Sequence, residues 1–382
     1  MRFVSGAADC ALIIPTRDRA LRLLDTLSRI AATDGPAVEI IVIDNASVDG
    51  TPQRLAADYP QVKVITQSKN HGTAGRNDGV RHAESPIIVL LDDDSGPAPG
   101  TLEKLIAALR DPSLGIAACP VRLPNGVWEE GGSRHVHIGC GAAMRRRIFL
   151  DLGGYPNEYE TYVEEYDLAY RVLAADLRVE YLDGAAVWHE PAARASYDYM
   201  VEKLTANNAY LATRFYPWDE AVSFIAWTVY RYSVFAAKRE AQTGFRRAME
   251  SLPEKILRGQ AQPHPLPERA LDFILPHRDT ARAFYELHTA GTTQIAFLRA
   301  GKEIPGLIRA ARNAGLKVEA IYEPDDGLFG GVDQLFNVPI RPFSEVTPQM
   351  NARLVIGGTS PGFIRNTLEL AAKHRLPAPA VP

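Results

Sequence analysis

Cysteine is scarce: Cys10, Cys119 and Cys140 are the only three in 382 residues. Odd in number and far apart, they exclude a disulfide framework, and without paired metal-ligand spacing they give no structural zinc site; reduced thiols in a cytoplasm are expected. A surplus of one charge is lacking too. Lys and Arg number 42 against 46 Asp and Glu, a formal net charge of −4, so no basic footprint invites nucleic acid. No positively charged start leads into a long apolar run, and no secretory signal is expected. The most apolar stretch, Val222 to Ala237, is too short for a bilayer and carries Arg231 in its middle, so no transmembrane helix is expected.

What is there is ordinary for a folded chain, 46% hydrophobic and 23% charged, at a length one core seldom organises. In the first third, strand-like runs at Ala11–Pro15, Val38–Asp44, Val62–Thr66 and Pro86–Asp92 alternate with helical patterns near Asp18–Ala32, Pro52–Asp58 and Ala74–Ala83. Ile and Val on both faces mean a mostly parallel sheet covered by helices, which binds ligands beyond the carboxyl ends of its strands. From Tyr197 to about Lys255 the pattern turns helical and aromatic, ending in Lys238, Arg239, Arg246 and Arg247. Packing against a second domain or a homodimer contact is the default reading of that stretch; peripheral contact with an anionic membrane is the alternative. A proline-rich linker, Arg258 to Arg269, precedes a small strand–helix–strand unit with strands at Gln294–Gly301, Lys317–Asp325 and Ala352–Pro361. The expected domains are therefore 1–215, an α/β domain, 216–262, a helical extension and linker, and 263–382, a smaller Rossmann-like α/β domain.

Chemistry concentrates at strand ends. The apolar run to Leu91 stops at Asp92, Asp93 and Asp94, and on an extended chain the first and third point one way and the second the other. Like charges so close cost about 1 kcal/mol each in water and several times more beside an apolar wall. A divalent cation removes that cost, and hard oxygen ligands suit Mn²⁺ or Mg²⁺; a solvated turn capping the next helix is the alternative. Polar clusters also follow the other strands, at Thr16–Arg19, Asn45–Thr51 and Asn70–Gly79. Asp44 closes a buried strand too early to cap a helix and can accept a hydrogen bond from a ring N–H. Gly72 and Gly75 permit close backbone approach, and Arg76 has the fork to hold phosphate or ribose.

Six blocks, IIPTRDR, IIVIDNASVDGT, NHGTAGRNDGV, VLLDDDSGP, GCGAAMRRRIFLDLGGY and YVEEYDLAYRV, occur in order between Leu12 and His189. Together they resemble the inverting family-2 glycosyltransferases of GT-A fold, in the branch with bacterial O-antigen and rhamnosyl-type enzymes. The resemblance implies a nucleotide-diphosphate sugar donor, a UDP- or dTDP-sugar, and a glycan, lipid-linked or small-molecule hydroxyl acceptor. It assigns the donor to Pro15, Thr16, Arg19, Asp44, Asn45, Arg76, Asn77, Asp92 and Asp93, and the metal to Asp94 and Asp92, with His189 nearby. Gly139, Cys140 and Gly141 match the floor beneath sugar and acceptor. The catalytic base falls on Glu165, where relatives usually carry aspartate, with Glu164 as the alternative and Asp167 as a structural neighbour. A cytoplasmic enzyme, with peripheral contact to the inner membrane as an option, is the expected setting.

Two other readings are open. A sugar nucleotidyltransferase needs a Gly-rich, Arg-containing loop after the first strand, and IIPTRDR has no glycine. A non-catalytic nucleotide-sugar-binding scaffold on the same fold differs by lacking turnover. In the last third only Gly301 stands where a dinucleotide site shows spaced glycines, so a docking or oligomerisation module is the default there.

Overall fold

Side chains of Ile and Val on both faces of a strand need cover on both sides, and the computed structural model buries them in the middle of a sheet. It describes residues 1–191, 196–347 and 350–382, which fall into two units, 1–195 and 196–382.

The strands of the first unit are β1 (Arg2–Val4), β2 (Cys10–Thr16), β3 (Ala37–Asp44), β4 (Lys63–Thr66), β5 (Ile87–Leu90) and β6 (Ser95–Pro97). They continue with β7 (Leu114–Ala118), β8 (Val121–Arg122), β9 (Ala142–Arg145), β10 (Arg178–Tyr181) and β11 (Val187–His189). The main sheet runs β1-β3-β2-β5-β9-β7-β10, with β4 also on β3. All its pairings are parallel except those of β9, which runs against β5 and β7. Leu23, Leu27 and Ile30 of the helix Ala20–Ala32 recur at helical spacing and bury against Leu12, Ile14, Ile40 and Val42.

Register then sets where chemistry emerges. β2 pairs with β3 up to Thr16 opposite Asp44, and with β5 up to Ile13 opposite Leu90. The ends of three strands therefore open on one edge. A small sheet β6-β11-β8 sits next in the chain, with His189 opposite Ser95.

In the second unit the helices Tyr197–Phe215, Trp218–Arg239 and Gln242–Ala261 precede a five-stranded sheet. Its strands are β12 (Gln294–Leu298), β13 (Lys317–Glu323), β14 (Gln334–Leu335), β15 (Val338–Pro342) and β16 (Arg353–Ile356), in the order β14-β15-β13-β12-β16. The aromatic helix is used inside this unit: Trp227 stacks on Phe329 with centroids 5.6 Å apart and donates its indole N–H to Lys302 O at 2.8 Å. Lys238 donates to the carbonyls of Gly327 and Gly330. Among the described residues no helix is long and apolar enough to cross a membrane.

Two boundaries differ from the sequence reading. The division falls at 195 and not 215, because the helix Tyr197–Phe215 lies against Gln242–Ala261: the two touch at Gly244 over Asp198 and at Gly259 over Tyr210 and Thr213. Helix also continues to Ala261, four residues into the expected linker, with Pro253 inside it. A Cβ at Gly244 would collide with the backbone of Asp198. Gly244→Val is accordingly expected to cost about 1–3 kcal/mol by overpacking, read as a lower urea midpoint at unchanged slope.

Candidate active site

The acidic triplet is tolerated because cations meet it. Arg76, buried in the first turn of its helix, pairs with Asp92 Oδ1 and donates to Leu91 O at 3.2 Å. Arg19 forks between Asp93 Oδ1 and Asp94 Oδ2, both at 2.6 Å. Asp93 is buried and accepts the Thr16 hydroxyl at 2.7 Å. Burial lifts its carboxyl to about 6 against the pull of Arg19 and Thr16. Burial works on Asp94 in the same sense, but His189 and Arg19 outweigh it and hold that carboxyl down at about 2.

His189 ends β11 with Nε2 3.3 Å from Asp94 Oδ1 and 4.0 Å from Asp92 Oδ2. Its Nδ1 lies 2.9 Å from Glu129 Oε2, and Glu129 is anchored by its own N–H to Val121 O. Burial alone would lower the imidazole; the bonds to Asp94 and Glu129 raise it to about 10 instead. The imidazolium thus supplies a positive charge that three carboxylates require. A divalent cation can supply it in its place, with neutral His189 as ligand.

The donor set supports that exchange. Single ligand atoms of Asp92, Cys140 and His189 all lie within 4.8 Å of one another, giving oxygen, sulfur and nitrogen to one small volume. Asp94, expected in this set, borders it through His189 but spends its other oxygen on Arg19. Cys140, expected only as floor, lies beside Asp92 and His189. The glycines beside it differ: Gly141 adopts φ +83° and a Cβ there would press on Val187, whereas Gly139 has open space around it.

At the neighbouring strand end Asp44 is wholly buried. Its Oδ1 accepts from Ser47 N at 3.3 Å, while Oδ2 has no hydrogen-bond partner among the described residues. Asn45 ties down the next loop, accepting from His71 N at 3.2 Å and donating to Gly72 O at 3.4 Å. Pro15, half-buried, sits opposite Ile43. Asn77 is differently employed from the donor role expected of it: both polar atoms of its amide bond the backbone of Tyr155, each at 2.8 Å.

The same loop carries the link to the expected base. Thr73 donates N–H and hydroxyl to Glu160 O at 2.9 and 3.2 Å. Glu160, Tyr162 and Val163 all have left-handed φ, 60°, 64° and 79°; for a β-branched valine this is a costly conformation, held by its surroundings. It delivers Glu164 and Glu165 to the start of the helix Glu164–Ala174. Glu164 is buried, with Oε2 unpartnered and its carboxyl raised by that burial although Arg76 and Thr73 draw it down. Glu165 is half-buried and so the more accessible of the two. Asp167 is structural, accepting from Tyr159 OH at 3.0 Å and Arg171 Nε at 2.7 Å.

Residues 11–162 match the family described as Glycosyl transferase family 2. They form a family-2 glycosyltransferase domain. The helix-flanked mixed sheet around this glycosyltransferase domain is GT-A-like. Among similar proteins, the dolichol-phosphate mannosyltransferase of Pyrococcus furiosus is 35% identical over 37% of this chain and 41% of its own length. Succinoglycan biosynthesis protein ExoO of Rhizobium meliloti is 31% identical over 27% and 30%. The chain thus spans well under half the length of these two. The N-acetylglucosaminyl-diphospho-decaprenol L-rhamnosyltransferase of Mycobacterium tuberculosis is 25% identical over 54% of this chain and 84% of its own. A solved mannosyltransferase from Pyrobaculum calidifontis, in complex with GDP-Man and Mn²⁺, superposes with a TM-score of 0.47 at 23% identity, over 81% and 87% of the two chains.

Sequence reasoning missed Cys140 as neighbour of Asp92 and His189, Glu129 as partner of His189, and a buried pair within the field of Arg76. In that pair His137 Nε2 lies 3.2 Å from Tyr155 OH, and burial with the charge of Arg76 pushes the imidazole down to about 3. Because the folded value is depressed, the unfolded chain takes up the proton first as pH falls below 6.5, and stability is lost from there toward pH 3. His137→Gln should flatten this slope by about 2 kcal/mol between pH 6.5 and 4.5, measured by urea unfolding of both proteins at the two pH values.

Proposed function

We propose that the N-terminal unit is an inverting glycosyltransferase that moves a sugar from a UDP- or dTDP-sugar to an acceptor hydroxyl in bacterial glycan assembly. The observation that carries this reading is one buried guanidinium, Arg76, that pairs with Asp92 on the cation side and acts on the buried carboxyl of Glu164, next to the expected base, on the other. Donor and acceptor chemistry then share one edge of the sheet. The unpartnered Oδ2 of Asp44 is an acceptor suited to a pyrimidine ring N–H. The metal, held by Asp92 and His189 with Asp94 alongside, would neutralise charge gathering on the departing diphosphate.

Glu165 is the base. It is the accessible member of the pair, and it takes the acceptor proton as the hydroxyl oxygen attacks the anomeric carbon opposite the diphosphate. Glu164, buried against Arg76 and Thr73, positions the helix end. Two relatives, the dolichol-phosphate mannosyltransferase and the diphospho-decaprenol rhamnosyltransferase, support a lipid-linked acceptor, met at the cytoplasmic face of the inner membrane. The second unit serves as a docking or oligomerisation module. Where a nucleotide would enter its sheet, Gly301 N already bonds Gly357 O at 2.8 Å and Ala300 N bonds Glu323 Oε1 at 2.7 Å.

A thermal-shift screen of nucleotide-sugars with Mn²⁺ identifies the donor, since a ligand confined to the folded state raises stability. With that donor, Glu165→Gln should lower transfer about 10²–10⁴-fold while retaining the full thermal shift. Full transfer by this variant would move the base to Glu164. A thermal shift without turnover by the wild type, across lipid-linked and soluble acceptors, would make the protein a nucleotide-sugar-binding scaffold.

A further inference from the structure

We propose that Cys140 is a sulfur ligand of the cation at Asp92 and His189, so that the site selects a thiophilic ion of the Zn²⁺ or Co²⁺ kind over Mg²⁺. This rests on the metal reading above and goes beyond the oxygen-only site that an acidic triplet suggests.

The sheet itself makes the placement. β5 and β9 are antiparallel, with Leu90 opposite Ala142. Continuing that register beyond the strand end, Gly141 N donates to Leu90 O at 2.7 Å, which brings Cys140 alongside Asp92. Opposed residues in an antiparallel pair project to the same side. The position is fixed from the other flank too, since Cys119 N donates to Gly141 O at 2.9 Å. β11 brings His189 in from the small sheet by its pairing with β6, the strand that follows the triplet. Three separately anchored backbones therefore aim oxygen, sulfur and nitrogen at one point, with all three atoms within 4.8 Å.

The other cysteines do not share this setting. Cys10 sits within β2, and Cys119 follows β7; neither joins a cluster of ligating side chains among the described residues. Ligand softness then decides the ion. Mg²⁺ demands a near-octahedral oxygen shell, whereas an imidazole and a thiolate suit Zn²⁺ and Co²⁺ and are accepted less tightly by Mn²⁺. On binding, the Cys140 S–H proton leaves to solvent and the sulfur lone pair forms the bond to the metal; no electron is transferred.

The test is absorption spectroscopy of the full chain, stripped of metal with a chelator and titrated anaerobically with Co²⁺. The expected result is visible d–d bands together with a near-ultraviolet thiolate-to-cobalt charge-transfer band. Cys140→Ser should abolish the charge-transfer band, keep the d–d bands, and weaken Co²⁺ by at least the roughly 10–100-fold that loss of an outer partner costs. Cys119→Ala should leave both features intact, and equimolar Mg²⁺ should fail to displace Co²⁺ from the wild type. Bound Co²⁺ with d–d bands and no charge-transfer band would overturn the sulfur ligand and leave the metal reading standing. Absence of d–d bands would overturn the metal reading and this inference with it. The wild-type spectrum decides between these outcomes even where a variant fails to fold.

Discussion

Three consecutive carboxylates at the end of a buried strand are the constraint around which the first unit is arranged. Unit charges about 4 Å apart repel by roughly 1 kcal/mol in water and by about 4 kcal/mol in the intermediate dielectric of a protein surface. Arg19 neutralises Asp93 and Asp94, Arg76 neutralises Asp92, and His189 stands between Asp92, Asp94 and Glu129. Each cation comes from a different element: the loop after β2, the helix after β4, and the end of β11. Mutual repulsion at the triplet thus recruits distant parts of the chain to one edge.

The same arrangement explains why Asp93 and Asp94 differ so widely in acidity while touching one guanidinium. Asp93 is the more deeply buried and has only Thr16 and Arg19 to oppose desolvation. Asp94 gains His189 as a second cation. Neighbours in sequence therefore settle at different acidities because their partners differ.

Much of this was legible in the sequence because it is local. The β-branched runs gave β2 and β3 nearly to the residue, and buried strands ending in Asp44 and Asp92 marked the edge where polar groups had to emerge. What escaped was set by pairing across the sheet. Ala142–Arg145 has no β-branched pattern to announce a strand, so the antiparallel β9 and the approach of Cys140 to Asp92 could not be foreseen. Asn77 looked like a ligand because its partner, the backbone of Tyr155, is far away in sequence. The stretch from Tyr197 reads as helical and aromatic, but periodicity does not say that its first helix, Tyr197–Phe215, packs against Gln242–Ala261.

The contact between Gly72 and Glu160 has a consequence for how this chain tolerates change. Thr73 is held by the backbone carbonyl of Glu160, not by its carboxylate, and any side chain at position 72 would strike that carbonyl. Position 72 is therefore locked to glycine, and position 160 is constrained in its dihedral angle. A change at position 72 is thus met by backbone that no substitution at position 160 removes.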